Sequence, residues 1–459
     1  MCRACKISDM IKWMGLFVAA AGAWAQPLLD GTWQGTLDAG AVKLRLALHI
    51  SHSGGEYKST LDSLDQSALG IPVNETTVTG NVLHFEIARL RASYEGTLST
   101  DGNSIRGTFT QGAAMPLELR RVDKIEAPLR PQMPKPPFPY RSEEVKIESG
   151  RETLSGTLTS PQGNGPFPAA ILITGSGTHD RDETLFGHKP FWVIADYLTQ
   201  RGIAVLRVDD RPDKAQSTFD DLAKDVLAEV AYLAARKEID AKEIGLIGHS
   251  EGACVGPLAA SRSDRVAFVI MLAGVGVDGE EALLQQGELL VRSRGLGDVA
   301  VERQRQVQKT LLDIVRQEKD PAIAAEKLRA ALEKVAPQTA AAALSAEINK
   351  ANAPEIRALI HYDGRPVLQS LKMPVLALNG SRDIQVSAEQ NLPAIAAALK
   401  AGGNRDFKIV EMAGLNHLFQ SCKKCTIAEY GELEETISPD VLKLMAAWIQ
   451  EHTKFSARR

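Results

Sequence analysis

The chain has no basic excess. Its net charge is −4, so it lacks the electrostatic footprint that nucleic-acid binding requires. No apolar run inside the chain is long enough to cross a bilayer, and the N-terminal one is only marginal. Cysteine is scarce: five in 459 residues, with Cys2 and Cys5 at the very start. Cys422-Lys-Lys-Cys425 is the one close pair among the other three. A zinc site needs a second pair of ligands, and none stands out. A thioredoxin-like redox role lacks its fold context. The pair is expected either to close a small local disulfide loop, as an exported protein permits, or to remain two free thiols, without catalysis in either case. Cys254 reads as a small buried hydrophobe. No metal or organic cofactor is implied.

What remains is ordinary globular material, 44% hydrophobic and 24% charged, long enough for two or three domains. Lys12 precedes an apolar stretch, Trp13 to Gly22, of signal-peptide length, and Ala23-Trp24-Ala25 is a small-residue cleavage site before Gln26. Residues 1–25 are therefore expected to be a signal peptide, with Met10 as an alternative start and a buried first helix as the alternative reading. No cysteine follows the cleavage site, which argues against a lipid anchor. The mature protein is expected to be periplasmic or secreted, without a stable membrane anchor.

The most informative segment is Glu243-Ile-Gly-Leu-Ile-Gly-His-Ser-Glu-Gly252 followed by an Ala-rich stretch. An apolar strand runs into G-x-S-x-G and then into a helix, the pattern of a nucleophile elbow that holds Ser250 exposed above the end of a sheet. The motif is weak alone, so its partners matter. Pro374–Asn379 reads as a strand whose exit turn carries Asp383. Phe407–Met412 reads as another, whose exit loop carries His417. Ser, Asp, His is the chain order of α/β-hydrolases. A serine hydroxyl is a poor nucleophile until an imidazole takes its proton, and the imidazole needs a carboxylate to fix its tautomer. Asp383 could instead be an ordinary turn aspartate, and His417 a loop histidine. Asp278, after the strand Val266–Ala273, is the alternative acid. His249 sits in the elbow and points elsewhere, His361 lies in an irregular region, and His452 in a terminal helix.

The organisation supports this placement. Residues 26–126 are expected to be all-β, a small barrel or curved meander. The strands fall near Gly31–Leu37, Val42–Ile50, Val82–Ile87, Tyr94–Leu98, Ile105–Gln111 and Leu117–Leu119. His49, His52 and His84 lack paired ligands nearby and are expected to be solvated or packed strand residues. Residues 127–142, with six prolines, read as a stiff, extended linker. Residues 143–459 alternate β and α and are expected to form a doubly wound, mostly parallel sheet with an antiparallel start. Residues 280–362 interrupt the alternation with charged, Ala-rich helices. They read as a cap over the catalytic face, or alternatively as an interaction or stability insertion.

An oxyanion hole needs two backbone donors. Glu251 N–H, after the nucleophile, is the first. The loop Thr174-Gly-Ser-Gly177 leaves the third strand, and Ser176 N–H is the expected second, a plain Gly-rich turn being the alternative.

These motifs together resemble a known family. They are Thr174-Gly-Ser-Gly177 with Asp180-Arg-Asp182, Arg207-Val-Asp-Asp-Arg211, Gly248-His-Ser-Glu-Gly252, Pro374–Gly380 with Asp383-Ile-Gln-Val386, and Gly414–Gln420. The stretch from about 143 to the C-terminus is similar to the EstD-type esterases of the α/β-hydrolase superfamily. The β-domain with Asp62-Ser-Leu-Asp-Gln66 is similar to the extension that many exported members carry. The resemblance implies a carboxylesterase acting on a small-molecule ester, with Ser250, Asp383 and His417 as triad. One departure is Arg211-Pro-Asp-Lys214, where members usually continue with Gly and a small-residue turn. It bears on the loop after the fourth strand and on substrate fit. The rival readings are a serine peptidase or aminopeptidase on the same fold, with Glu251 or the cap holding the substrate amine, and a non-catalytic lipid- or glycan-binding protein. The catalytic groups all follow the linker, so a chain starting near Tyr140 is expected to fold and act on a short ester.

Overall fold

Two sheets organise the chain in the computed structural model, which describes residues 29–453 apart from 40–42, 65–67, 126–128 and 336–340. The expected signal peptide lies outside the described residues.

The first sheet has nine strands: β1 Gly31–Asp38, β2 Lys43–Ser53, β3 Glu56–Ser63, β4 Ala68–Pro72, β5 Glu75–Thr79, β6 Val82–Ile87, β7 Ala92–Leu98, β8 Ser104–Gln111 and β9 Ala113–Val122. Their spatial order is β4-β3-β2-β1-β9-β8-β7-β6-β5, an antiparallel meander in which β1 joins the two halves. Side chains alternate between core and solvent, as in β7, because successive residues point to opposite faces. The inner face gathers Trp33, Leu48, Phe85, Tyr94 and Ile105 into one core. The sheet curls until its ends approach: Ser59 of β3 and Thr76 of β5 share a 2.6 Å hydroxyl contact. Sequence periodicity misses β3, β4 and β5: β3 and β5 carry Ser, Thr, Glu and Lys in runs that read as loop, and β4 is five residues long and holds Gly70 and Pro72.

The linker holds more than its composition predicts. Arg130 donates from one guanidinium nitrogen to Leu433 O (2.8 Å) and from another to Gly431 O (2.9 Å) and Phe186 O (3.0 Å). Gln132 donates to Ile437 O at 2.7 Å and accepts from Thr436 N–H at 2.6 Å. Phe138 stacks on Tyr140, whose hydroxyl donates to Asp196 at 2.9 Å. This segment is a strap laid across the second unit, not a free spacer.

The second sheet has eight strands: β10 Arg141–Ser149, β11 Glu152–Ser160, β12 Phe167–Ile173, β13 Ala204–Val208, β14 Ile239–His249, β15 Val266–Leu272, β16 Val375–Gly380 and β17 Phe407–Met412. Their order is β10-β11-β13-β12-β14-β15-β16-β17. β10, β11 and β13 pair antiparallel, and from β13 onward every pairing is parallel. β12, β13 and β16 are buried along their whole length, as strands covered on both faces must be. The helices α1 Pro190–Thr199 and α11 Pro439–His452 cover one face. The helices α2 Phe219–Ala234, α3 Gly252–Ala260 and α10 Ala388–Ala401 cover the other. The C-terminal ends of β12, β14, β16 and β17 thus share one edge, where open α/β sheets place their ligands.

Between β15 and β16 the described residues form six helices: α4 Gly279–Ser293, α5 Asp298–Gln317, α6 Pro321–Val335, α7 Ala341–Ala351, α8 Pro354–Ile360 and α9 Arg365–Ser370. Helices α4 to α8 pack around a core of their own that includes Leu283, Leu311, Val315, Leu328 and Ile360. α9, not expected from the sequence, instead gives Leu368 to the core of the main sheet.

Candidate active site

Ser250 sits between β14 and α3 with φ +55°, a left-handed conformation that side chains other than Gly rarely adopt and that costs about 1–3 kcal/mol. The surroundings hold it there. Its N–H donates to Leu272 O at 2.8 Å, and a Cβ on Gly248 would lie 2.0 Å from Gly252 O. The strand can therefore turn into the helix only because that position is glycine.

Asp383 follows β16 and is buried. Its Oδ1 accepts the N–H groups of Gln385 (2.8 Å) and Val386 (2.9 Å). Its Oδ2 accepts from His417 Nδ1–H at 2.7 Å. That hydrogen bond leaves Nε2 as the lone-pair nitrogen. The His417 loop is set by its neighbours. Asn416 Oδ1 accepts Leu418 N–H (3.0 Å) and Gln420 N–H (2.9 Å), and Asn416 Nδ2–H donates to Gln420 Oε1 at 3.0 Å. Both amides are fully buried.

Asp278 plays a different part. It is the N-cap of α4, accepting Glu280 N–H at 3.0 Å, with Arg316 at 3.3 Å. The structure thus joins His417 to Asp383 and employs Asp278 as a helix cap. Cys422 and Cys425 form a disulfide, and Cys254 is a free buried thiol, pushed up to about 12 by burial.

One pair was not foreseen from the sequence. Glu183 and His249 are buried, with Glu183 Oε1 2.9 Å from His249 Nδ1. The same oxygen accepts Gly175 N–H at 2.6 Å, and His249 Nε2 lies 3.2 Å from His417 O. Burial pushes the Glu183 carboxyl up, but the His249 charge and the hydrogen bonds outweigh it, and the group stays ionised below its usual range. Burial likewise pushes His249 down, and Glu183 more than reverses it. This ion pair links the Gly-rich loop, the turn at Ser250 and the His417 loop. The available sequence signal was Asp182-Glu183 after the Gly-rich loop, but nothing in its spacing pairs Glu183 with His249.

The Gly-rich loop stands beside Ser250: a Cβ on Gly175 would lie 3.3 Å from Ser250 Cβ. Ser176, Ser250, Glu251 and His417 line one cavity of about 420 Å³. Among the described residues no group accepts from Ser176 N–H or Glu251 N–H. The cavity wall is otherwise largely apolar, with Phe219, Val275 and Leu418 from the sheet side and Leu283, Ile356 and Leu359 from the helical insertion. Among the described residues no three His, Cys, Asp or Glu side chains are placed to hold a metal ion.

Comparison with known proteins adds three findings. Residues 228–421 match the family described as BAAT / Acyl-CoA thioester hydrolase C terminal. The chain is similar to Esterase EstD of Thermotoga maritima, 28% identical over 365 residues that cover 77% of this chain and 79% of that one. Among solved structures, the alpha/beta hydrolase GrgF from Penicillium sp. sh18 aligns with TM-score 0.44 and 17% identity over 69% of this chain and 100% of that one. The 2,6-dihydroxy-pseudo-oxynicotine hydrolase aligns with TM-score 0.42 and 17% identity over 68% and 67%.

Proposed function

We propose, from the similarity to Esterase EstD and the geometry of the site, that the chain is a serine carboxylesterase of the α/β-hydrolase superfamily. Ser250 Oγ attacks the ester carbonyl carbon, and His417 Nε2 takes the hydroxyl proton while Asp383 holds the imidazole and stabilises its charged form. The carbonyl oxygen becomes an oxyanion facing Ser176 N–H and Glu251 N–H. The C–O bond to the alcohol breaks, and the leaving alkoxide takes the proton from His417. Water then attacks the acyl carbon, giving its proton to His417; the bond from that carbon to Ser250 Oγ breaks, His417 returns the proton to Oγ, and the carboxylic acid departs. The observation that carries this reading is the buried Asp383–His417 hydrogen bond on the cavity where Ser250 is held at positive φ.

Helices α4 to α8 act as a cap in this reading. Leu283, Ile356 and Leu359 supply an apolar wall for one arm of the ester and exclude water, which strengthens the electrostatics of the oxyanion site. Export belongs to the same proposal: the N-terminal segment has signal-peptide composition, and a disulfide suits an oxidising compartment.

The carboxylates Glu251 and Glu355 on the cavity favour a second reading, an aminopeptidase that holds a substrate amine. A chain-length panel of p-nitrophenyl esters run beside aminoacyl-nitroanilides tests both. Turnover of the esters with no turnover of the anilides is the expected result. The reverse would replace the esterase with a peptidase.

A further inference from the structure

The loop after β13, where the sequence departs from the family it resembles, delivers a buried cation to the back of the oxyanion loop. Lys214 is 6% exposed. Its ammonium donates to Gly175 O at 2.7 Å, Thr174 Oγ1 at 2.7 Å and Asp210 Oδ2 at 2.9 Å, the full capacity of three donors. Asp210 is fixed in turn by Thr174 Oγ1–H at 2.6 Å and His179 N–H at 2.7 Å.

The geometry of one peptide unit makes this contact consequential. Gly175 C=O and Ser176 N–H are opposite ends of the same planar trans peptide. A donor that holds the oxygen from one side turns the N–H to the other, and Ser176 lines the cavity there. The preceding peptide is held as well, its Gly175 N–H donating to Glu183 at 2.6 Å. Both peptides that flank Gly175 are thus pinned by buried charged groups. A cation on the carbonyl oxygen also polarises the amide and makes its N–H a stronger donor, since hydrogen bonds in series reinforce one another.

We propose that Lys214 is the positioning residue of the oxyanion loop: through the Gly175 carbonyl it aims the Ser176 N–H at the reacting oxygen and strengthens it as a donor. This rests on the reading of Ser176 N–H as an oxyanion donor.

The test compares Lys214→Met, Lys214→Gln and Lys214→Arg with the wild-type chain. Three quantities are measured: the rate of Ser250 labelling by a fluorophosphonate, the Ki of a trifluoromethyl ketone, and kcat and KM on p-nitrophenyl acetate. Removing an oxyanion donor costs on the order of 10²–10³ in kcat. Misaiming one should cost Lys214→Met about 10- to 100-fold in labelling rate, in ketone affinity and in kcat, with KM within about twofold. Lys214→Arg, which keeps the charge, should recover most of the loss. Folded Lys214→Met with wild-type labelling and kcat overturns the proposal, and so does a loss carried by KM alone. If Lys214→Met does not fold, Lys214→Gln carries the test, because it keeps two N–H donors without the charge. A loss of about fivefold or more at unchanged KM then supports the proposal, and wild-type rates overturn it. Labelling reads Ser250 with no ester present. A wild-type chain that labels but leaves every ester intact defeats the esterase reading and leaves the comparison among variants standing.

Discussion

In the nine-stranded sheet a hydroxyl, an imidazole and a carboxylate stand in series. Thr32 Oγ1 lies 3.2 Å from His49 Nδ1, His49 Nε2 lies 2.8 Å from Asp62 Oδ2, and Asp62 Oδ1 accepts Gly70 N–H at 2.7 Å. Around the cavity of the eight-stranded sheet, Ser250, His417 and Asp383 are the same three kinds of group. The difference lies in the backbone. Thr32 is a mid-strand residue directly across the β1–β2 ladder from His49, so their contact is a cross-strand pair of the sort that stabilises sheets. Its carboxylate is on Nε2 and its hydroxyl on Nδ1, the reverse of the Nδ1 carboxylate at His417. The His49 side chain is 37% exposed, against 5% for His417. Ser250 adds a strained turn, free N–H donors beside it and an apolar wall. A constellation of residue types becomes a site only where the backbone supplies an elbow and a dry cavity.

The comparison can be broken most sharply at the hydroxyls. Ser250→Ala should reduce ester hydrolysis by about 10⁶ and abolish fluorophosphonate labelling, by analogy with loss of the nucleophile in other serine triads. Thr32→Val should leave kcat within twofold, and a comparable loss there would move the chemistry to the wrong sheet. The carboxylates come next. Asp383→Asn should lower kcat by about 10⁴ while the fold persists, whereas Asp62→Asn and Asp278→Asn leave it nearly unchanged. The latter keeps the helix cap, because an Asn side-chain oxygen accepts Glu280 N–H as well as Asp does, and gives up only the charge facing Arg316, which should change stability by less than about 1 kcal/mol.

Electrostatics sharpen the contrast further. Glu183→Gln breaks a buried pair and should cost about 3–5 kcal/mol in urea unfolding. The wild-type advantage over this variant should vary with pH as follows. The Glu183 carboxyl lies below its unfolded value, so its share is present above that value and vanishes as pH falls through the folded one. His249 lies above the ordinary histidine value of 6.5, so its share is present below 6.5 and is lost as pH rises through the folded value. The advantage should therefore form a plateau that shrinks at both ends, and a flat difference from acid to alkali would show that the pair is not charged. A smaller effect than that of the ion pair belongs to the disulfide. It closes a loop with a sequence separation of only 3, so reduction should cost no more than about 2 kcal/mol.

What the sequence made legible follows from periodicity and from punctuation. The eight strands of the second sheet, the elbow, Asp383 and His417 all stood at the junction of an apolar run and a turn. The order of strands in the first sheet was not legible, because β3 and β5 read as polar loop and β4 is short and holds Gly70 and Pro72. Glu183, Lys214 and the strap at Arg130 were invisible for another reason. Each acts through partners far along the chain, and a single sequence carries no record of such pairings. The strap also changes the placement of a truncation. A chain starting at Leu129 keeps the Arg130 and Gln132 contacts, and one starting at Tyr140 loses them. The first should melt several degrees above the second while both retain the catalytic groups.

The strap has a consequence for the order in which the molecule assembles. Arg130 reaches Leu433 across a sequence separation of 303 residues, and Gln132 reaches Ile437 across 305. Contacts of such range form late, since the loop they close must be ordered first. On a ribosome the first sheet is complete some three hundred residues before the partners of Arg130 emerge, and it can fold alone in the meantime. The strap can meet Phe186 and Gly187 early and then waits for the segment around Gly431 to Ile437. Its closure against Phe186 and Gly431 brings together two loops that border the cavity. A nascent chain cut short before Ile437 should therefore hold a finished first sheet beside a second unit that still lacks both the strap's late partners and α11.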